Sequence, residues 1–262
     1  CGPVLEAAAR RSLLPMSTES LIALLSAGAD GAAAVTAPGR PALDFGGLRR
    51  LVADTLAQLN GLGIGRNDRV AIVVNNGPEM ATAFMACACG VASAPLNPAY
   101  RADEFEFYLS DLNAKALIVE AGSSSPAIAV ATKLGVRILD LVVADGAAAG
   151  DFSLQPRDGA TAAAVPPTYA QPDDISMVLH TSGTTSRPKI VPLSQRNLCA
   201  SARNIRQSLQ FQARDCGLNI MPLFHIHGLI AGVLAPLSAG SQVFCTPGFN
   251  ALRFFAQLEE VK

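Results

Sequence analysis

Between Arg69 and His180 the sequence alternates short apolar runs with segments of helical period, and few architectures satisfy that alternation. The run RVAIVVNN (69–76) is brief, rich in β-branched residues and bounded by turn formers, which marks a buried strand. Pro78, suited to a first helical turn, opens PEMATAFMACACG, which Gly90 ends. The helix ADEFEFYLSDLNA follows, with Phe105, Tyr108, Leu109 and Leu112 on one face and acidic residues in its first turn, and then the strand KALIVE. Pro126 opens another helix, VRILDLVV is another strand, and DISMVLH (174–180) closes the series. Strands separated by helices predict an α/β fold with a parallel sheet covered on both faces.

Upstream, GGLRRLVADTLAQLNGLGI sets Leu48, Leu51, Val52, Leu56 and Leu59 at helical spacing, with Gly61 suited to a left-handed stop. Residues 144–172, rich in Ala, Gly, Pro and Asp, have no clear period and are expected to form a long surface connection. Near Ser194 a further helix begins, with Leu198, Ile205 and Leu209 on one face.

A chain of 262 residues that is 50% hydrophobic can bury a substantial core, and its formal charge of -1, with scattered basic residues, favours neither nucleic acid nor an anionic membrane. Any anion it binds must be caught locally. Cys1, Cys87, Cys89, Cys199, Cys216 and Cys245 match neither a zinc ribbon nor a redox Cys-x-x-Cys pair, so reduced, buried thiols in a cytoplasmic setting are expected. No apolar run is long enough to span a bilayer, and CGPVLEAAARRSLLP lacks the apolar centre of a secretory signal. Met16 opens MSTESLIALL like a natural start; residues 1–15 read as a tag or upstream extension, and residues 16–262 carry the fold.

After the strand DISMVLH comes TSGTTSRPK (181–189). Glycine lets a backbone approach a ligand closely, and the hydroxyls of Thr181, Ser182, Thr184, Thr185 and Ser186 supply donors without fixed charge. Arg187 and Lys189 add positive charge, so the composition is that of an anion cradle. It is not a Walker loop, because Gly183 lacks the following Gly-Lys-Ser/Thr and Pro188 blocks the helix that motif requires. By residue type alone, a polar surface hairpin fits as well.

The order of the flanking residues separates the two. HTSGTTSRPKIVPLSQRNL resembles the phosphate-loop signature of the adenylate-forming (AMP-binding) superfamily of acyl-CoA synthetases, peptide-synthetase adenylation domains and luciferases. MPLFHIHGL (221–229) is similar to that superfamily's next motif, and the resemblance extends upstream through residues 63–100. Ser186-Arg187 departs from the usual Gly-x before Pro-Lys. With PLFHIHGL and APLNPAYRADEFEFYLSDLNAKALI, that departure looks like the subgroup of oxalate-CoA ligases and related peroxisomal-type or plant acyl-activating enzymes.

The resemblance implies an ATP-dependent acid-thiol ligase. A carboxylate attacks the α-phosphorus of Mg2+-bound ATP, giving an acyl-adenylate and pyrophosphate, and the thiol of coenzyme A then displaces AMP. The expected substrate is a small carboxylic acid, oxalate first, with medium-chain or aromatic acids, or a non-catalytic module that keeps the fold, as alternatives. Thr181, Ser182, Gly183, Thr184 and Thr185 would wrap the β- and γ-phosphates with Ser186 beside them, and Lys189 would bring positive charge. His225 takes the position that closes the substrate side. The rival reading of His225 and His227 as metal ligands on an extended segment finds no Asp or Glu close by, and no metal site is assigned. His227 is expected to be packed or hydrogen-bonded, His180 to hold the loop, and Tyr100 and Phe105 to serve in packing.

The superfamily's later motifs do not occur in these residues: the aromatic-Gly-x-Thr-Glu segment, the ribose-binding aspartate, the hinge, and the C-terminal lid with its lysine. The expectation is therefore the N-terminal AMP-binding domain in part, truncated and catalytically silent by itself. The implied fold is two stacked αβα layers with mainly parallel sheets and a distorted barrel. Residues before about Val74 and after about Asp215 are expected in one layer, and those between in the other.

Overall fold

A computed structural model of the protein describes residues 19–181 and 188–261. Its strands are β1 (Ala33–Thr36), β2 (Leu43–Asp44), β3 (Arg69–Val73), β4 (Ala92–Pro95), β5 (Ala116–Glu120) and β6 (Arg137–Val142) in the first half. They are followed by β7 (Ser153–Pro156), β8 (Ile175–His180), β9 (Ile190–Ser194), β10 (Cys216–Asn219) and β11 (Gln242–Cys245). Among the described residues these strands form two sheets, one of seven strands in the order β7-β6-β5-β3-β4-β8-β9 and one of four in the order β10-β11-β1-β2. The five inner strands of the larger sheet run parallel, and β7 and β9 pair antiparallel at its edges.

Two cores arise from one alternation. Along β3, Val70 and Ile72 enter one core while Ala71 and Val73 enter the other. Along β5, Ala116 and Ile118 part in the same way from Leu117 and Val119, as the two-residue period of a strand buried on both faces requires. One face is covered by α4 (Ala102–Leu112) and α5 (Pro126–Leu134), which supply Phe105, Leu109, Leu112, Val130 and Ala131. Against the other lie α2 (Phe45–Gly61) and α3 (Pro78–Ala88), and beyond them sits the smaller sheet.

Helix α3 is buried on every side. Of its eleven residues only Glu79 is not buried, and it touches β3, β4 and β8 of one sheet and β11 of the other. A helix apolar all round belongs in an interior. Ala81, Ala83, Ala86 and Ala88 give it the narrow girth that lets both sheets close on it, with Phe84 and Met85 filling the wider gaps. A buried amide fastens its C-terminus: Gln195 opens α6 (Gln195–Leu209) and accepts from the Leu21 N–H at 2.8 Å, in α1 (Leu21–Leu24). Gln195 also donates to the Ala88 carbonyl and, at 2.9 Å, to Ser176 Oγ.

The expected helices and strands from 46 to 209 are present, with four corrections. The left-handed residue after α2 is Gly63 (φ 78°); Gly61 is instead required because a Cβ there would lie 2.2 Å from the Ala163 carbonyl oxygen. Residues 144–172 are not only a surface connection. They contain β7 and bury Ala149, Phe152, Leu154 and Ala170, a strand too short for its alternation to register in the sequence. Strand β3 belongs to the larger sheet, so the layers part before residue 69 and not at Val74. Leu209 is 62% exposed at the end of α6, while Leu198 is buried.

The five cysteines among the described residues are unpaired. Burial pushes the Cys87 and Cys245 thiols up to about 12 and that of Cys199 to about 11, so these three stay protonated at neutral pH. No helix among the described residues is long and apolar enough to cross a membrane.

Asp174, just before β8, accepts from Arg66 Nη2 at 3.0 Å, Asn67 Nδ2 at 2.9 Å and the Gln171 N–H at 2.7 Å. Burial alone would raise its carboxyl, but these donors outweigh it and hold the group below the usual carboxylate value. A depressed folded value adds stability above the unfolded value of about 3.9 and loses it as pH falls through the folded one. Asp174→Asn is expected to cost about 1–3 kcal/mol at pH 7. In urea unfolding the deficit should shrink once the pH is below about 4; a deficit that stays constant to pH 3 would contradict this role.

Candidate active site

The C-termini of β3, β4 and β8 open on one edge of the larger sheet, where Asn75 and Asn76, Asn97, and Thr181 respectively follow them. Helix α3 leaves β3 toward one core and α4 leaves β4 toward the other, so the chain diverges between the two strand ends. Open α/β sheets bind ligands in a crevice of this kind. A cleft of about 400 Å³ lies there, with Leu96, Tyr100, Tyr108, His180, Thr181 and His225 in its wall. A second hollow of about 360 Å³ adjoins it, lined by Asn75 and Asn76 and sharing Asn97 and Phe224.

Of the residues expected in the site, Thr181 and His225 meet in this cleft. Thr181 follows β8 and its N–H donates to the Lys189 carbonyl at 3.0 Å, while the Lys189 N–H donates to Thr181 Oγ1 at 3.2 Å. The first of these continues the antiparallel β8–β9 ladder beyond the His180–Ile190 pair, and the second adds the Thr181 hydroxyl to it. Thr181 and Lys189 therefore face each other at the two ends of the stretch, on the edge where the strands end. Lys189 is exposed, stands outside the cleft wall and has no ion pair among the described residues. Ser182, Gly183, Thr184, Thr185, Ser186 and Arg187 lie outside the described residues.

His225 is the N-cap of α7 (Ile226–Leu229), its ring 4.7 Å from that of Phe224. His227 falls within α7 and is exposed, so the two imidazoles do not share an extended segment and His227 is not packed. Among the described residues no group of three His, Cys, Asp or Glu side chains is placed to hold a metal ion.

His180 is hydrogen-bonded, and its partner is on α4. Its side chain is only 5% exposed, and Nε2 lies 3.0 Å from Asp111 Oδ2 on α4. Tyr108 meets the ring edge-on, with centroids 4.7 Å apart. Burial pulls the imidazole below its ordinary value, against the opposing pull of Asp111. The ring is then neutral at pH 7, and since a carboxylate only accepts, the Nε2–H donates to it. His180 thus ties the β8 end to α4.

Residues 14–262 match the model of a family described as AMP-binding enzyme. The chain belongs to the AMP-binding enzyme family. A probable CoA ligase of Humulus lupulus is 39% identical over 228 residues, covering 86% of this chain and 43% of that protein. An oxalate-CoA ligase of Arabidopsis thaliana is 38% identical over 214 residues, covering 80% of this chain and 40% of that protein. The chain thus spans about 40% of the length of these curated relatives. Among solved structures, ATP-bound MatB from Rhodopseudomonas palustris shares the fold with a TM-score of 0.78 at 23% identity, over 93% of this chain and 48% of that one.

In this member of the AMP-binding family the residues missed from the sequence are those of the cleft wall. Tyr100 and Tyr108 were expected in packing, and they do stack, at 4.8 Å and 16°, but both also face the cleft. Burial, aided by a hydrogen bond with Tyr108, holds the Tyr100 phenol well above its usual range. Helical period assigns Tyr108 to a buried face and carries no sign that this face ends at a crevice. Phe105, one turn away, is fully buried as expected.

The imidazole of His180 should titrate below the ordinary value of about 6.5 when followed by the NMR shifts of its ring protons. Asp111→Asn should lower the midpoint further, because it removes the group that favours the charged form. A midpoint that rises in the variant would show that the pair is not formed.

Proposed function

We propose that the full-length protein is an ATP-dependent carboxylic acid-CoA ligase that forms an acyl-adenylate and then an acyl-CoA. The observation that carries this reading is the meeting of Thr181, at the root of the hydroxyl-rich loop, with His225 in one cleft at the strand ends. The donor set suits a triphosphate. Thr181 keeps its hydroxyl proton while accepting from Lys189, and the Lys189 ammonium has no ion pair among the described residues. Magnesium would arrive with ATP as the counter-ion of its phosphates.

Within this reading, leaving pyrophosphate gathers negative charge, and donors already oriented by the hairpin root stabilise it without reorganising. The cleft wall bears no Lys or Arg among the described residues, and Lys189 pairs with Thr181 at the root. His225, which lines the same cleft, orients the acid. A cytoplasmic setting belongs to the same reading and is supported by the unpaired cysteines.

Oxalate is the acid proposed first, supported by the 38% identity to an oxalate-CoA ligase. One observation favours a second choice: Leu179, Val191, Leu193, Phe224 and Ile226 make the described cleft wall largely apolar, which suits a medium-chain or aromatic acid. Acid-dependent pyrophosphate release by the full-length protein, measured across oxalate, medium-chain and aromatic acids, separates the two. No release with any acid would favour a non-catalytic module, and the 262 residues alone should be inert in this assay. In the full-length protein, Thr184→Ala or Lys189→Ala should slow pyrophosphate formation about 100- to 1,000-fold with a much smaller change in acid affinity. Equal losses in both would remove the loop from phosphate chemistry.

A further inference from the structure

We propose that Asn76 is a positioning residue, the amide that sets where the His225 segment stands against the larger sheet. It follows β3, in the larger sheet, yet both of its hydrogen bonds reach elements attached to the smaller one. Its Oδ1 accepts from the Leu223 N–H at 2.8 Å, and its Nδ2 donates to the Thr246 carbonyl at 3.0 Å, directly after β11. The amide orientation follows from the partners, since only this one sets an acceptor against an N–H and a donor against a carbonyl.

The partners are themselves fixed. Thr246 is fully buried and its Oγ1 donates to the Asn219 carbonyl at 3.0 Å, at the end of β10. Asn219 Oδ1 in turn accepts from the Met221 N–H at 3.2 Å. The segment from Met221 to Gly228 is a compact knuckle: the His225 N–H donates to the Pro222 carbonyl at 3.2 Å, and a Cβ on Gly228 would lie 2.4 Å from that same oxygen. A segment this stiff moves as a unit, so one anchor on Leu223 decides where Phe224 and His225 enter the cleft. Asn76 supplies that anchor from the opposite sheet, and it lines the hollow that adjoins the cleft.

This inference rests on the ligase reading for its kinetic consequence, although the geometric claim can be tested without turnover. In the full-length protein, Asn76→Ala should speed hydrogen exchange of the Leu223 amide about tenfold or more, while β3 and β11 keep their protection. Asn76→Asp retains the acceptor and should hold that exchange within about twofold of the parent. In steady state, Asn76→Ala should raise KM for the acid about tenfold and change KM for ATP by less than about twofold, the signature of a misplaced acid-side wall. Unchanged Leu223 exchange, acceleration spread evenly over β3 and β11, or matched rises in both KM values would overturn the proposal. If the parent protein releases no pyrophosphate with any acid, the ligase reading falls, and the exchange comparison alone decides the role of Asn76.

Discussion

The structure depends on a helix that has no solvent face. Helix α3 runs between two sheets, and a sheet can approach a helix from both sides only where its girth is small, which four alanines in eleven residues provide. Its single unburied side chain, Glu79, accepts from Arg40 and from the Gly150 N–H at 3.2 Å, and Thr82 donates to the Gly150 carbonyl at 2.6 Å. The same helix that spaces the sheets therefore gathers the irregular segment before β7 onto the body of the protein. Interiors this dense leave no room for an added methylene, so the spacing is a property of these residues and not of the helix as such.

The site inherits its position from that spacing. Because β3 ends just ahead of α3, Asn75 and Asn76 emerge at the rim, and the smaller sheet brings the segment after β10 to meet them. The described wall of the resulting cleft is aromatic and apolar, with a neutral imidazole at its base and no cation. Such a surface holds an organic group well and a naked anion badly.

Legibility in the sequence followed element length and period. β3, β5, β6 and β8 and helices α2 to α6 announce themselves because each repeats its pattern over enough residues. β1, β2, β10 and β11 are two to four residues long, and among the described residues the sheet is joined only by the pairing of β1 with β11, which sets Val35 against Val243. No local pattern encodes such a partner. At the site, Thr181 and His225 were legible because motif order placed them, whereas Tyr108 read as core and Asn76 as the end of a strand. His180 was expected to hold the loop; the bond seen among the described residues ties it instead to Asp111 on α4, a partner that only folding brings near.

By itself the sequence determined the α/β class, four of the five inner strands, the order of the helices from α2 to α6 and the residue types of the hydroxyl-rich stretch at 181–189, since all of these depend on neighbours within a turn or a strand. Tertiary structure alone decided which strands form the second sheet, that α3 lies between the two, and that Asn76, His180 and Tyr108 stand at one rim. Those outcomes turn on contacts between residues about 70 to 210 positions apart, whose partners exist only once the sheets have closed.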